Sequence, residues 1–437
     1  MQAIPSDLLK VTSSRTEKGS FGNILERYYY GINPGGEPEP DFPKAGVELK
    51  SSAIRKLSNG SFSAKERLVL SLINYELEAR KNFSGSSFLH KSAKIMLVSY
   101  LYQDQRPVVD HPVKIAKLLE FSQLPLAEQR IIEGDWQKIV AKIRAGKAHE
   151  LSEGDTLYLG ACTKAATSAN RRRQAGGGPA AKPRAFSLKS AFMTALVRRE
   201  LGITERDVEP IIKDVSALAR KSFDEIIIER FRPYIGRSVA QIHAAVGRGL
   251  NKGAKNYYAD LARRIMGVSG KKIEEFEKAD IVMKTIQLKA NGMPKECMSF
   301  PVFKYRNIVR EVWDGADGET ESDLRSYLQK RFFFVVYQCS GTCKKSEART
   351  LNGVMFWTMP MADLDGPVKR VWKETVKRIK AGRADDLPKA SESPVAHVRP
   401  HARNAQDTDI TPQGRRVVKK CFWLDKKYIK KIVDELR

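Results

Sequence analysis

The residue pattern predicts a mixed α/β chain in which one architecture is built twice. Short strand-like runs alternate with stretches of helical period. Segments of the second half repeat segments of the first about 236 residues later. One copy sets two carboxylates and a lysine around a single strand, and the other keeps the strand pattern but lacks an acid.

The chain has 437 residues, room for two or three domains and a sizeable core. Hydrophobic residues make up 42% and charged residues 29%, as in soluble globular proteins. No apolar run is long enough to span a bilayer and no signal peptide is evident, so an intracellular, cytoplasmic protein is expected. Lys and Arg number 77 against 51 Asp and Glu, a net charge of +26. The cations are spread along the chain rather than gathered on one amphipathic helix, which points to nucleic acid and away from membrane. Cys339 and Cys343 form a C-x3-C pair with no matching second pair, so a zinc site is not expected. The five cysteines are expected to be free thiols, and the six histidines show no metal-ligand spacing.

In chain order, Gly19 to Gly31 sets Ile24, Leu25, Tyr28 and Tyr29 at helical spacing, with Glu26 mid-helix and an end near Gly31. A loop rich in Gly and Pro leads to Asp41. In Val47-Glu48-Leu49-Lys50 apolar and charged residues alternate, as in a half-buried strand. Residues two apart on a strand share a face, so Glu48 and Lys50 point one way and Val47 and Leu49 into the core. Asp41 can fold back toward them. Two carboxylates suit Mg²⁺, and a lysine beside them can hold a water or offset phosphate charge. An E-x-K triplet alone is more often a surface ion pair than a catalytic site.

Asn59-Gly60 reads as a hairpin turn. Leu68 to Ile73 is an apolar run opened by Lys65-Glu66-Arg67, and Ile95 to Tyr102 is strand-like with Lys91 just before it. Leu126 to Ala145 has helical period with Trp136 and Ile139 on its apolar face, and Thr156 to Gly160 reads as a strand. A basic segment from Ala161 to Arg173 and a Gly/Ala/Pro loop from Gln174 to Pro183 follow, suited either to phosphate contact or to a plain surface loop. Phe186 to Arg199 reads as a helix, and Thr204 to Arg230 as a long helical connector opened by a cap.

The repeat pairs Trp136–Leu151 with Trp372–Leu387, Phe186–Lys189 with Phe422–Asp425, and Phe88–Lys91 with Tyr327–Lys330. Lys44–Lys50 aligns with Lys278–Lys284: Asp41 falls opposite Glu275 and Lys50 opposite Lys284, but Glu48 falls opposite Val282. If Gly267 matches Gly31, Ala262 falls opposite Glu26. The second copy therefore lacks a principal ligand of any hard-metal site. The division expected is 1–203, a connector at 204–233, and 234–437.

Five segments taken in order carry a family resemblance: GNILERYYYGI (22–32), PDF-x3-GVELK (40–50), SAKERLVLSLINYE (63–76), SSFLHK (86–91) and YLGACTKA (158–165). Together they resemble the MutH-type endonucleases, and in particular the related type II restriction enzymes that cut at GATC. That resemblance implies a PD-(D/E)xK nuclease core, a mixed sheet flanked by helices, present here twice with a degenerate second copy. It implies Asp41 and Glu48 as Mg²⁺ ligands with the Leu49 carbonyl, and Lys50 orienting or deprotonating the attacking water. Glu26 would complete the acidic cluster, and Lys91 would support the phosphate or nucleophile. Lys164 and the segment at Phe186-Ser187 match family positions that approach DNA bases, although the repair enzymes carry a tyrosine where this chain has Ser187. With Lys65, Arg67, Arg171, Arg172, Arg173 and Lys189 they make the expected DNA-binding set.

The activity expected is Mg²⁺-dependent hydrolysis of duplex DNA at GATC in a prokaryotic host, by a monomer able to engage two sites or to pair on DNA. A mismatch-repair nickase and a non-catalytic DNA-binding protein are the competing readings. The second copy argues against the first of these, and the intact acids of the first copy against the second.

Overall fold

The first half is organised by two sheets. β1 (Glu48–Lys56) turns through Asn59-Gly60 into β2 (Phe62–Ala64), and the two pair antiparallel with Ile54 opposite Ala64. Gly60 takes φ +82°, a left-handed turn conformation that side chains resist. β3 (Leu68–Leu72) leaves for the second sheet. β4 (Lys94–Leu101) returns parallel to β1 and β5 (Val113–Glu120) lies antiparallel beyond it, giving the order β2-β1-β4-β5. The second sheet is antiparallel, β3-β7-β6, with β6 at Leu159–Thr163 and β7 at Arg184–Leu188. The helix Leu126–Arg144 buries Ile132, Trp136, Ile139, Val140 and Ile143, a stripe at three- and four-residue spacing. Within it Asp135 is buried and accepts the N–H groups of Leu157, Tyr158 and Leu159, which fixes the approach to β6.

This computed structural model describes residues 20–32, 39–104, 106–164, 169–314, 320–339 and 349–436.

β8 (Val208–Glu209) and β9 (Lys272–Ile273) pair in parallel between the halves. The second half then repeats both sheets. β10 (Val282–Leu288) runs parallel to β12 (Phe332–Cys339), which is antiparallel to β13 (Arg349–Trp357). β11 (Met298–Val302), β14 (Ala396–Pro400) and β17 (Lys420–Leu424) form the antiparallel sheet β11-β17-β14, and a small hairpin of β15 (Thr408–Ile410) and β16 (Arg416–Val418) sits before β17. Register repeats as well as topology. Leu159 faces Leu188 and Gly160 faces Ser187 in the first half; Ala396 faces Leu424 and His397 faces Trp423 in the second. Gly31 and Gly267, like Gly146 and Gly382, are matched positive-φ residues at helix ends.

A buried polar network repeats too. Trp136 Nε1 donates to Glu78 Oε1 at 3.0 Å, and Glu78 accepts Ser87 N–H at 3.2 Å. In the second half Trp372 lies beside Glu311, which accepts Asp323 N–H at 3.3 Å. The largest apolar core is shared between the halves, joining Trp136, Phe186 and Phe192 to Phe231, Phe276 and Phe333. A second core, with Phe300, Phe334, Trp357, Trp372 and Phe422, belongs to the second half alone. Across the halves Lys278 Nζ meets Glu128 Oε1 at 2.8 Å, and Thr358 Oγ1 donates to Gly154 O at 3.1 Å.

Several expectations are corrected. Residues 204–230 do not form one helix: Pro210 forces Glu209 into an extended conformation, and the only α-helix in the stretch begins at Phe223. Phe186-Ser187-Leu188 is strand, and the helix that follows spans Ser190–Glu200. The strand expected at Thr156–Gly160 lies later, at Leu159–Thr163. The Gln174–Pro183 loop is anchored to the body of the first half: the Gln174 side chain accepts Ala148 N–H and Gly176 lies against Gly146. Cys339 is disulfide-bonded, not a free thiol, while Cys162, Cys297 and Cys421 are free. Cys343 lies outside the described residues.

Candidate active site

The site begins with a turn. Phe42 N–H donates to Val47 O at 2.9 Å and Gly46 takes φ +62°, so the chain doubles back just before β1. That reversal brings Asp41 to the start of the strand, where its Oδ2 accepts Leu49 N–H at 2.8 Å. Glu48, the first residue of β1, faces Ile95 of β4, and Lys50 faces Leu97. Leu49 points into a small core with Phe21 and Val98, while Val47, just outside the strand, is only half-buried.

Glu48 and Lys50 share a face as strand geometry requires: Lys50 Nζ lies 2.5 Å from Glu48 Oε1. A second ammonium converges on the same oxygen, with Lys91 Nζ at 3.7 Å. Lys91 is not on a loop; it lies in the last turn of the helix Ser87–Ser92, capped by Ser86 Oγ on Leu89 N–H. The side chain of Glu48 is 4% exposed, and its Oε2 is buried with no hydrogen-bond partner among the described residues. A buried carboxylate oxygen left unsatisfied is costly, and a cation beside it removes that cost.

Glu26 joins from the N-terminal helix. The α-helical turn Ser20–Ile24 passes into a π-helical turn, Leu25–Tyr29, which carries Glu26. Burial, then the charges of Asp41 and Glu48, push its carboxyl above the ordinary glutamate value, and Lys50 opposes them. The segment is seated by Phe21 stacked on Tyr100 at 4.0 Å and by Tyr30 edge-on to Phe42 at 5.3 Å. Tyr28 and Tyr29, expected on its buried face, are exposed.

Asp41, Glu48, Lys50, Lys91 and Glu26 therefore come together. Among the described residues no three His, Cys, Asp or Glu side chains form a ready metal cluster. The groups that fit Mg²⁺ are two carboxylates, a main-chain carbonyl and water, which is how Mg²⁺ is commonly held.

The expected DNA-binding residues divide. Lys164, Arg171, Arg172 and Arg173 are exposed along the segment after β6, and Lys65 is exposed beside β2 with its ammonium 4.4 Å from the Tyr102 ring centre. Arg67 is half-buried and committed to an ion pair with Glu153, which raises its pKa. Ser187 is fully buried between β3 and β6, so it does not reach DNA directly. Lys189 is also buried. Its ammonium donates to the Glu153 and Thr156 carbonyls, and burial lowers its pKa. Lys189 thus ties the Glu153–Thr156 segment to β7, and neither side chain is exposed in this structure.

Glu78 was not anticipated. It receives the first N–H of the helix that carries Lys91 and so helps place that lysine. The repeat spacing does not point to it, because Glu311, which receives the matching N–H in the second half, lies 311 − 78 = 233 residues on rather than 236.

The second copy has lost the constellation. Val282 replaces Glu48 and buried Ala262 replaces Glu26. Glu275 sits in the helix Glu274–Ala279 and accepts the backbone N–H groups of Ile211 and Ile212, so it stabilises the link between the halves. The helix caps Ser86 and Ser322 set Lys91 opposite Tyr327, not opposite Lys330. Lys330 instead pairs with Asp280 at 2.7 Å.

Known proteins resemble the chain in a matching way. The family profile described as the DNA mismatch repair enzyme MutH matches residues 30–135, which include Asp41, Glu48, Lys50 and Lys91. The type II restriction enzyme Sau3AI of Staphylococcus aureus is 35% identical over 471 aligned residues, covering 97% of this chain and 94% of that enzyme. The chain belongs to the MutH-like type II restriction enzymes. MutH proteins of Shewanella sp. (strain ANA-3) and Serratia proteamaculans are 31% and 29% identical, but span only 46% and 45% of the chain. The restriction relative matches nearly the full length of the chain, and the repair proteins match a little under half of it. It is a site-specific deoxyribonuclease with a mixed α/β nuclease fold. Among the described residues no helix is long and apolar enough to cross a membrane.

Proposed function

We propose that this restriction enzyme hydrolyses both strands of duplex DNA at GATC with Mg²⁺, cutting with its first copy and holding DNA with its second. The units are residues 1–203 and 234–437, joined by 204–233. One observation carries the reading: Asp41, Glu48, Lys50 and Lys91 converge in the first copy, and the second keeps both sheets without Glu48 or Glu26. The GATC assignment rests on the resemblance of residues 22–32, 40–50, 63–76, 86–91 and 158–165, taken together, to the GATC-cutting branch.

In this account Asp41 is oriented by Leu49 N–H and Glu48 by its two lysines, so both carboxylates are pre-set before DNA arrives. Bound Mg²⁺ supplies positive charge beside the reacting phosphate. Lys50 holds the attacking water and receives or relays its proton. The water oxygen bonds to phosphorus as the P–O3′ bond breaks, and the 3′ oxygen takes a proton, leaving a 5′-phosphate. Lys91 keeps Glu48 in place and offsets charge at the phosphate.

The test is digestion of GATC-methylated and unmethylated plasmid, in Mg²⁺ and in EDTA, with sequencing of the ends. Linear product cut at GATC in Mg²⁺ alone supports the account. Nicked circles as the only product would favour a repair-type nickase, and no cutting in Mg²⁺ would leave a DNA-binding protein.

A further inference from the structure

Glu26 reaches the site on a segment with little of its own to hold it. Of residues 21–30 only Phe21 is buried. The α-helical turn Ser20–Ile24 is too short to persist alone, and the π-helical turn after it buries no residue. Yet Glu26 stands among Asp41, Glu48 and Lys50, whose charges its carboxyl feels. The group that places it there lies on β4.

Val98 and Tyr100, two apart on β4, share a face. Phe21 packs with Leu49 and Val98 and stacks on the Tyr100 ring at 4.0 Å. Gly22 brings the same turn close to β1, where a Cβ would come within 3.1 Å of Ser51 Oγ. Buried His111 also stacks on Tyr100, its ring parallel to within 6° at 5.6 Å, and it is tilted against Tyr102 at 5.2 Å. The pairing of β4 with β5 slips at this point. Ser99 faces Ile115 and Tyr100 faces Val113, which leaves Lys114 as the extra residue. A bulge re-aims the side chains beside it, and bulges gather next to active sites.

The second copy keeps the device. Glu48 faces Ile95 and Val282 faces Phe332, so Tyr337 falls opposite Tyr100. Its pairing slips at the same step, with Val336 facing Gly353 and Tyr337 facing Leu351. Tyr337 packs at 4.8 Å on Tyr258, in the helix Tyr257–Ile265 that matches the Glu26 segment. That helix buries Tyr257, Tyr258, Leu261, Ala262 and Ile265, so one ring is one anchor among several. In the first copy the matching segment bears an acid and buries Phe21 alone, so the contact of Phe21 with Tyr100 is its main anchor.

We propose that Tyr100, aimed by the bulge and stacked with Phe21 and His111, is the positioning residue for Glu26. This rests on the reading of Glu26 as part of the cleavage site.

The experiment is a double-mutant cycle on full-length protein, read as single-turnover cleavage of a saturating GATC duplex in Mg²⁺ beside duplex affinity. Glu26→Gln should lower the rate and keep the affinity. Tyr100→Leu should lower the rate by up to about 10²-fold, the cost of misplacing a group by about an ångström, whereas Tyr100→Phe should cut nearly as the parent does. Once Glu26→Gln is present, Tyr100→Leu should cost nothing further. Phe21→Leu repeats the cycle from the helix side and decides it if Tyr100→Leu does not fold. Equal losses on both backgrounds, or a Tyr100→Leu variant that cuts like the parent, overturn the positioning role alone. A Glu26→Gln variant that cuts like the parent overturns the reading of Glu26 itself.

Discussion

Lys50 Nζ lies 2.5 Å from Glu48 Oε1, two residues along one face of β1. Lys91 reaches the same oxygen from the helix before β4, at 3.7 Å. The two lysines are not equivalent, because Lys50 is the closer and the more exposed, at 21% against 17%. Lys50→Ala is expected to lower the single-turnover cleavage rate by about 10²–10⁴-fold, the range for a proton-transfer group, with duplex affinity little changed. Lys91→Ala should cost less. Equal losses in a quench-flow comparison would contradict separate roles.

Asp41 separates charge from geometry. Asp41→Asn keeps an oxygen for Leu49 N–H but removes the negative charge. Cleavage in Mg²⁺ should fall steeply while thermal unfolding stays put. Asp41→Ala also strands the amide, at a cost of about 1–3 kcal/mol. Calorimetry of the two variants checks the difference, and an Asn variant that cuts normally would remove Asp41 from the site.

The raised pKa of Glu26 predicts an acid limb. Burial and the neighbouring acids favour its protonated form, so it gains its proton as pH falls through a value above the ordinary 4.5. If its charge serves catalysis, activity drops over that same interval. Glu26→Gln should lower the plateau rate and flatten the limb, and an unchanged pH–rate profile would show that another group titrates.

Much of this site was legible because it is local. Asp41, the Gly46 turn and the alternation of Val47 to Lys50 lie within one short stretch, and strand geometry alone puts Glu48 beside Lys50. Burial from other parts of the chain was not legible. Phe186-Ser187-Leu188-Lys189 alternates apolar and polar as a half-buried strand does, yet Ser187 and Lys189 are buried along with Phe186 and Leu188, which local pattern does not show. Lys189 looks like a DNA contact until the carbonyls of Glu153 and Thr156, more than 30 residues away, are seen to claim it. Pro210, by contrast, was a visible breaker in the expected long helix. The repeat proved the most informative sequence signal, since β7 and β17 fall at the spacing that the Phe186–Phe422 pairing required.

His397 predicts a pH dependence in the second copy. It is 1% exposed, neither ring nitrogen has a hydrogen-bond partner among the described residues, and burial lowers its pKa with Arg399 adding to the shift and Asp425 opposing it. The unfolded chain therefore binds a proton first. Stability is full above the ordinary value of 6.5 and is lost as pH falls below it. Thermal unfolding followed from about pH 7.5 to about pH 5 should show the loss, and His397→Leu should reduce it. A variant with the same slope would place the titration elsewhere.

The most direct test is Glu48→Ala on GATC plasmid in Mg²⁺, read for both cleavage and duplex binding. The account predicts no nicked or linear product and near-normal affinity, because the second copy and the basic edge of the first remain. Cutting at GATC by that variant would contradict the assignment of the active site to the first copy.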